Sequence, residues 1–164
     1  MLDEIVAKIK ERLVEVKQNK SLDQLIGEVS KLEINEDFPC KEALKGPEIA
    51  IIAEVKKASP SKGLIARDFD YIEIAREYEE AGASAISVLT EPYFFKGSND
   101  YLKEIAENVA IPILRKDFII DEYMIWEAKS LGASAILLIV SILEDVQLKR
   151  YLDLAHDLGL SAIV

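Results

Sequence analysis

The stretch Gly-Ala-Ser-Ala-Ile-Ser-Val-Leu at 82–89 returns as Gly-Ala-Ser-Ala-Ile-Leu-Leu-Ile at 132–139, with five residues identical. A third echo, Gly-Leu-Ser-Ala-Ile-Val, occupies 159–164. Each follows an amphipathic pattern, so each reads as a helix closed by glycine and a strand beginning soon after. Working outward, apolar runs at 49–55, 85–89, 111–114, 135–140 and 162–164 alternate with helical patterns over roughly 70–81, 99–108, 122–131 and 145–158. Asp70, Ser98 or Asn99, Asp121, and Glu144 or Asp145 stand at the helix starts, where N-caps belong. Strands alternating with helices at this spacing predict a parallel sheet with right-handed crossovers. The pattern alone leaves open a doubly wound sheet or a (β/α)8 barrel.

Residues 1–46 differ in kind. Leu2, Ile5, Val6, Ile9, Leu13 and Val16 recur at helical spacing. Ser21 and Gln24 form a capping-box signature before Leu25, Ile26, Val29 and Leu32. Asn35–Pro39 reads as a loop and Gly46-Pro47 as a break. The expected organisation is a helical extension over 1–46 and a sheet-bearing part over 47–164.

The 164 residues suffice for a core without disulfides, and half of them are hydrophobic. Twenty basic against thirty acidic side chains give a net charge of −10, which argues against a nucleic-acid surface but not against a small anionic ligand held by local lysines. A single cysteine, Cys40, reads as a buried or bland thiol, and a single histidine, His156, speaks against a metal site built on imidazoles. The charged amphipathic N-terminus lacks the features of a signal peptide, and no apolar run is long enough for a membrane span. The expectation is a cytoplasmic protein that binds neither membrane nor nucleic acid.

Strand alternation locates the chemistry. In Ile-Ile-Ala-Glu-Val-Lys-Lys-Ala-Ser-Pro-Ser-Lys-Gly at 51–63, Ile49, Ile51, Ala53 and Val55 make an apolar face suited to packing under helices. Ala50, Ile52, Glu54 and Lys56 make a face that turns ionic at its carboxyl end. Pro112, Leu114, Lys116 and Phe118 repeat that design on the third strand. Ligands of parallel α/β folds bind at the carboxyl ends of strands, so Glu54, Lys56 and Lys116 are the candidate site. Such lysines neutralise a phosphate or carboxylate, or donate a proton. Nothing of the Gly-rich dinucleotide or P-loop type is present.

Ala-Glu-Val-Lys-Lys-Ala-Ser-Pro-Ser-Lys-Gly (53–63), Ser-Val-Leu-Thr-Glu-Pro-Tyr-Phe-Phe-Lys-Gly-Ser (87–98), Leu-Arg-Lys-Asp-Phe-Ile-Ile-Asp (114–121) and Ser-Ala-Ile-Leu-Leu-Ile-Val-Ser-Ile-Leu (134–143) resemble, in order, the indole-3-glycerol phosphate synthase family. The resemblance implies a (β/α)8 TIM barrel, here the N-terminal helical extension plus about four βα units and the start of strand five. It also implies a reaction of tryptophan biosynthesis without metal or organic cofactor: decarboxylating, dehydrating ring closure of 1-(2-carboxyphenylamino)-1-deoxyribulose 5-phosphate. By the same resemblance Lys116 is the general acid at the substrate carbonyl. Lys56 contacts the substrate carboxylate and assists dehydration, and Glu54 takes part in proton transfer. Ser59 lies on the substrate side of the following loop, while Phe95 and Phe118 line the anthranilate pocket. Lys57 and Lys62 match no family role and read as solvated; Trp126 reads as packing between helix and sheet.

A closed barrel takes about 200 residues or more. The resemblance places a further catalytic glutamate and the phosphate-binding loops beyond Val164. The expectation is that this chain alone does not turn over substrate. The competing reading is a non-catalytic half-barrel that self-associates or needs a complementing C-terminal half. Phosphoribosylanthranilate isomerase, a barrel of similar architecture, lacks the Ser-Pro-Ser and Lys-Asp-Phe motifs seen here.

Overall fold

The fold is that of a computed structural model describing residues 1–65 and 67–164. Helices α1 (Leu2–Asn19), α2 (Leu22–Val29) and α3 (Pro39–Ala43) precede the sheet. Strand β1 (Ile52–Val55) is followed by a small antiparallel ribbon of β2 (Ala58–Ser59) and β3 (Gly63–Leu64). Then come α4 (Tyr71–Glu80), β4 (Ala85–Leu89), α5 (Asn99–Asn108), β5 (Ile113–Lys116), α6 (Glu122–Ser130), β6 (Ala135–Leu137), a 3-10 turn at Val140–Ile142, α7 (Asp145–Asp157) and β7 (Ser161–Ile163). The sheet is parallel, in the order β1-β4-β5-β6-β7. Sequence order equals spatial order, as in the barrel topology, and the doubly wound alternative falls away.

Local chemistry accounts for the element ends. Ser21 Oγ accepts from Gln24 N while Gln24 Oε1 accepts from Ser21 N, so both halves of the capping box are present. The side chains of Asp70, Ser98 and Asp121 each accept a backbone N–H from the first turn of the helix that follows. Gly82 and Gly132 stand at φ +87° and +89°, just past α4 and α6, in the left-handed conformation that any side chain would strain. The repeated Gly-Ala-Ser is the exit from each helix.

Register separates two layers. Glu54 pairs with Ser87, Ser87 with Leu114, Leu114 with Ala135 and Ala135 with Ser161, so these residues share the inner face. At its lower end Cys40 packs with Ala85, Leu114 and Ala135, which makes α3 a plug under the sheet. Val55, Ile86, Val88, Ile113 and Ile136 face outward into the main core, with Ile5, Ile9 and Leu13 of α1 and Leu25 and Val29 of α2 in the same cluster. Trp126 packs at the edge of that core, as expected.

Three boundaries depart from the sequence expectation. Strand β1 starts at Ile52, not Ile49, and Ile49 is 94% exposed, because β1 is an edge strand and no neighbour covers that approach. Ile51, at 59% exposure, likewise does not join the helix-packed face assigned to it. Strand β6 stops at Leu137, the 3-10 turn taking the rest of the apolar run. The Asn35–Pro39 loop ends in the short helix α3, with Pro39 at its first turn, where proline's fixed φ fits.

Candidate functional site

Glu54, Lys56 and Lys116 converge at the carboxyl ends of β1 and β5. Lys56 Nζ donates to Glu54 Oε1 at 2.7 Å, and Lys116 Nζ donates to Glu54 Oε2 at 2.9 Å. Ser87 Oγ, on the strand between them, approaches Oε2 at 3.5 Å. One carboxylate therefore holds two ammonium groups in fixed directions, each side chain about one-third exposed. Burial pushes the Glu54 carboxyl up, but hydrogen bonds from Lys56 and Lys116 outweigh it and hold the group below its ordinary value. The pair of cations leaves a locally positive mouth in an acidic protein, suited to an anion and to proton donation.

The remaining expected residues surround this group. The rings of Phe95 and Phe118 lie with centroids 5.9 Å apart, tilted by 37°, forming one aromatic wall from two loops. Ser59 sits in the β2–β3 ribbon, where its Oγ accepts from Lys62 N at 3.3 Å and lies 3.5 Å from Ser61 Oγ. Lys62 is exposed, as expected. Lys57 is not simply solvated: it is half-buried, with Nζ 5.8 Å from the centroid of Phe69. Phe69 in turn packs on Tyr71 and Tyr101, and the Tyr71 hydroxyl donates to Glu104 at 2.6 Å, which with burial raises the phenol to about 12.

Cys40 is buried, and that burial pushes its thiol up, consistent with an inert packing group. His156 meets Phe38 edge-on, 5.7 Å between centroids, below the sheet and away from the lysines. Among the described residues no cluster of three or more His, Cys, Asp or Glu is arranged to hold a metal ion. Among them, too, no helix is long and apolar enough to cross a membrane.

Sequence reasoning missed the ionic groups that support the site. Glu91 is fully buried; its carboxylate accepts from the backbone N–H groups of Tyr93, Phe94 and Phe95 at 2.9, 2.7 and 3.0 Å. It thereby shapes the loop that presents Phe95. Arg115 and Asp117, on either side of Lys116, are buried on the helix side of β5 and hydrogen-bonded to each other and to Thr90. The run Arg-Lys-Asp at a strand end was the available signal, since alternation sends its outer members into the core.

A sequence model described as indole-3-glycerol phosphate synthase matches residues 2–164. Proteins of that name are 50% identical in Ruminiclostridium cellulolyticum, 54% in Lacticaseibacillus paracasei and 48% in Thermoanaerobacter pseudethanolicus. All of this chain is aligned in each comparison, and it spans 63%, 63% and 62% of their respective lengths. The parallel sheet with its alternating helices is thus part of a (β/α)8 barrel, and the chain belongs to the indole-3-glycerol phosphate synthase family.

Proposed function

We propose that this chain supplies the proton-transfer half of an indole-3-glycerol phosphate synthase, acting in the cytoplasm on 1-(2-carboxyphenylamino)-1-deoxyribulose 5-phosphate. Residues 1–46 form its helical extension and 47–164 its share of the barrel. The observation that carries the reading is the single carboxylate, Glu54, gripped by Lys56 and Lys116 at the strand ends.

Lys116 protonates the substrate carbonyl as the ring carbon attacks it, so that charge developing on oxygen is met by a positioned donor. The substrate carboxylate, paired with Lys56, then leaves as carbon dioxide. Loss of the new hydroxyl as water needs a proton delivered to it and one removed from the ring. Glu54 and Lys56, 2.7 Å apart, are the exchanging pair. Phe95 and Phe118, as one aromatic wall, line the pocket for the aromatic amine side of the substrate, and Ser59 faces it from the ribbon.

The test joins this chain to the C-terminal remainder of the Lacticaseibacillus paracasei relative and follows indole fluorescence. Lys116→Met is expected to lower kcat by about 100-fold or more, the scale of a lost general acid. A loss under tenfold removes Lys116 from that role. The 164-residue chain alone is expected not to turn over; steady-state activity from it overturns the assignment of only part of the machinery to this chain.

A second reading draws on the two open sheet edges, β1 and β7, and on the exposed Ile49 and Ile51. Unpaired edges and exposed apolar side chains favour association. Mass in solution, with and without the complementing C-terminal part, separates a self-associating half-barrel from a chain that becomes a catalyst on complementation.

A further inference from the structure

Lys116 is flanked by two side chains that never reach the barrel mouth. Alternation sends Lys116 inward and Arg115 and Asp117 outward, between β5 and the helices. There Arg115 is 0% and Asp117 1% exposed. Buried ions of this kind are stable only when their hydrogen-bonding capacity is filled, and filling it ties together most of the surrounding elements. Arg115 donates from Nε to Thr90 Oγ1 at 3.1 Å and from one terminal nitrogen to Met124 O at 2.8 Å. Its other terminal nitrogen donates to Glu127 at 2.6 Å, Asn99 at 3.1 Å and Asp117 at 3.4 Å.

Asp117 is the junction. Its Oδ2 accepts from Thr90 Oγ1 at 2.7 Å, from Arg115 and, at 3.3 Å, from Arg12 of α1. Its Oδ1 accepts from Phe118 N at 2.8 Å, which sets the turn directly after Lys116. The Lys116 carbonyl itself accepts from Thr90 N at 3.1 Å. The backbone is thus held before, at and after Lys116, while its free end meets Glu54.

We propose that Asp117 is a positioning residue for Lys116, and that Arg12 makes the direction of Lys116 depend on the N-terminal helix. The proposal rests on the reading of Lys116 as proton donor. Neighbouring peptide planes in a strand are coupled, so releasing Asp117 turns Lys116 away from Glu54. A shift on the scale of an ångström is enough to slow a reaction severely.

The experiment follows the Glu54 carboxyl by 13C NMR titration in the 164-residue chain, and kcat and KM in the joined enzyme. Variants are Asp117→Asn, Arg12→Gln and Arg12→Lys, with Lys116→Met as reference. Asp117→Asn and Arg12→Gln are expected to raise the Glu54 midpoint toward the Lys116→Met value and to lower kcat by about 10-fold, with KM little changed. Arg12→Lys is expected to restore both. A purely structural contact lowers the unfolding temperature but leaves the Glu54 midpoint and the kcat of the folded fraction unchanged; that result overturns the proposal. Should Asp117→Asn not fold, Arg12→Gln, at the rim of the network where the side chain is 16% exposed, decides alone. Should Lys116→Met keep its kcat, the catalytic reading fails, while the Glu54 midpoint still decides whether Asp117 positions Lys116.

Discussion

Lys116 Nζ stands 2.9 Å from Glu54 Oε2 although the two residues are 62 positions apart. The contact crosses β4, which lies between β1 and β5 and sets the small Ser87 opposite Glu54 and Leu89 opposite Lys116. A larger inward side chain at 87 would separate acid from carboxylate. Ser87→Leu is therefore expected to raise the Glu54 midpoint in an NMR titration while leaving the parallel sheet intact by circular dichroism.

The Glu54 carboxyl also gives stability a definite dependence on pH. Its value in the fold lies below the ordinary 4.5. A depressed carboxyl contributes stability that is present above the unfolded value and is lost as pH falls through the folded one. In urea titrations, the advantage of the wild type over Glu54→Gln is expected to be full near neutrality and to shrink from about pH 4.5 downward. An advantage that is constant across that range contradicts the depressed value.

How the site was readable follows from period and distance. Glu54, Lys56 and Lys116 were legible because Glu54 and Lys116 each sit two residues beyond an inward apolar neighbour, Ile52 and Leu114, Lys56 sits two beyond Glu54, and alternation is a local rule. Arg12 and Asp117 were not, because their contact spans 105 positions and no local pattern pairs α1 with the end of β5. Glu91 was missed although its partners, Tyr93, Phe94 and Phe95, are close in sequence, because only a fold that buries it makes the carboxylate a loop organiser. The start of β1 was misplaced for the opposite reason. An apolar run marks potential burial, and the side chains of Ile49 and Ile51 stay exposed although the Ile51 carbonyl accepts from Ser84 N at the approach to β4.

Glu91→Ala strands three backbone N–H groups at once. Each unsatisfied buried donor costs about 1–3 kcal/mol, partly recovered where water enters the emptied volume. The expected loss is about 3 kcal/mol in urea unfolding, with faster amide exchange at Phe94 and Phe95 in the native state. Exchange unchanged at those two amides refutes the role given to Glu91.

Ser21 caps α2 through Gln24 N at 3.2 Å, in the reciprocal box with Gln24. Ser21→Ala removes one side of it and is expected to cost about 1 kcal/mol. Ser21→Asn, which keeps an acceptor, is expected to cost far less.

Two glycines outside the left-handed region should respond oppositely to alanine. At Gly97 an added Cβ would stand 2.3 Å from the carbonyl oxygen of Leu89 and 2.8 Å from the carbonyl carbon of Thr90. These are backbone atoms at the end of β4, held in the sheet, so they cannot withdraw as a flexible side chain would. The loop must shift instead, pulling Glu91 O from its 2.8 Å bond with Gly97 N and loosening the segment that carries Phe95. Gly97→Ala is expected to cost about 3 kcal/mol, in the range of severe overpacking. At Gly27, inside α2, nothing lies within 4 Å of the added methyl, and alanine is the better helix former. Gly27→Ala is expected to stabilise by about 0.5–1 kcal/mol, mainly by restricting the unfolded chain. Urea midpoints of the two variants, measured side by side, should move in opposite directions, and a common direction would remove the steric account of Gly97.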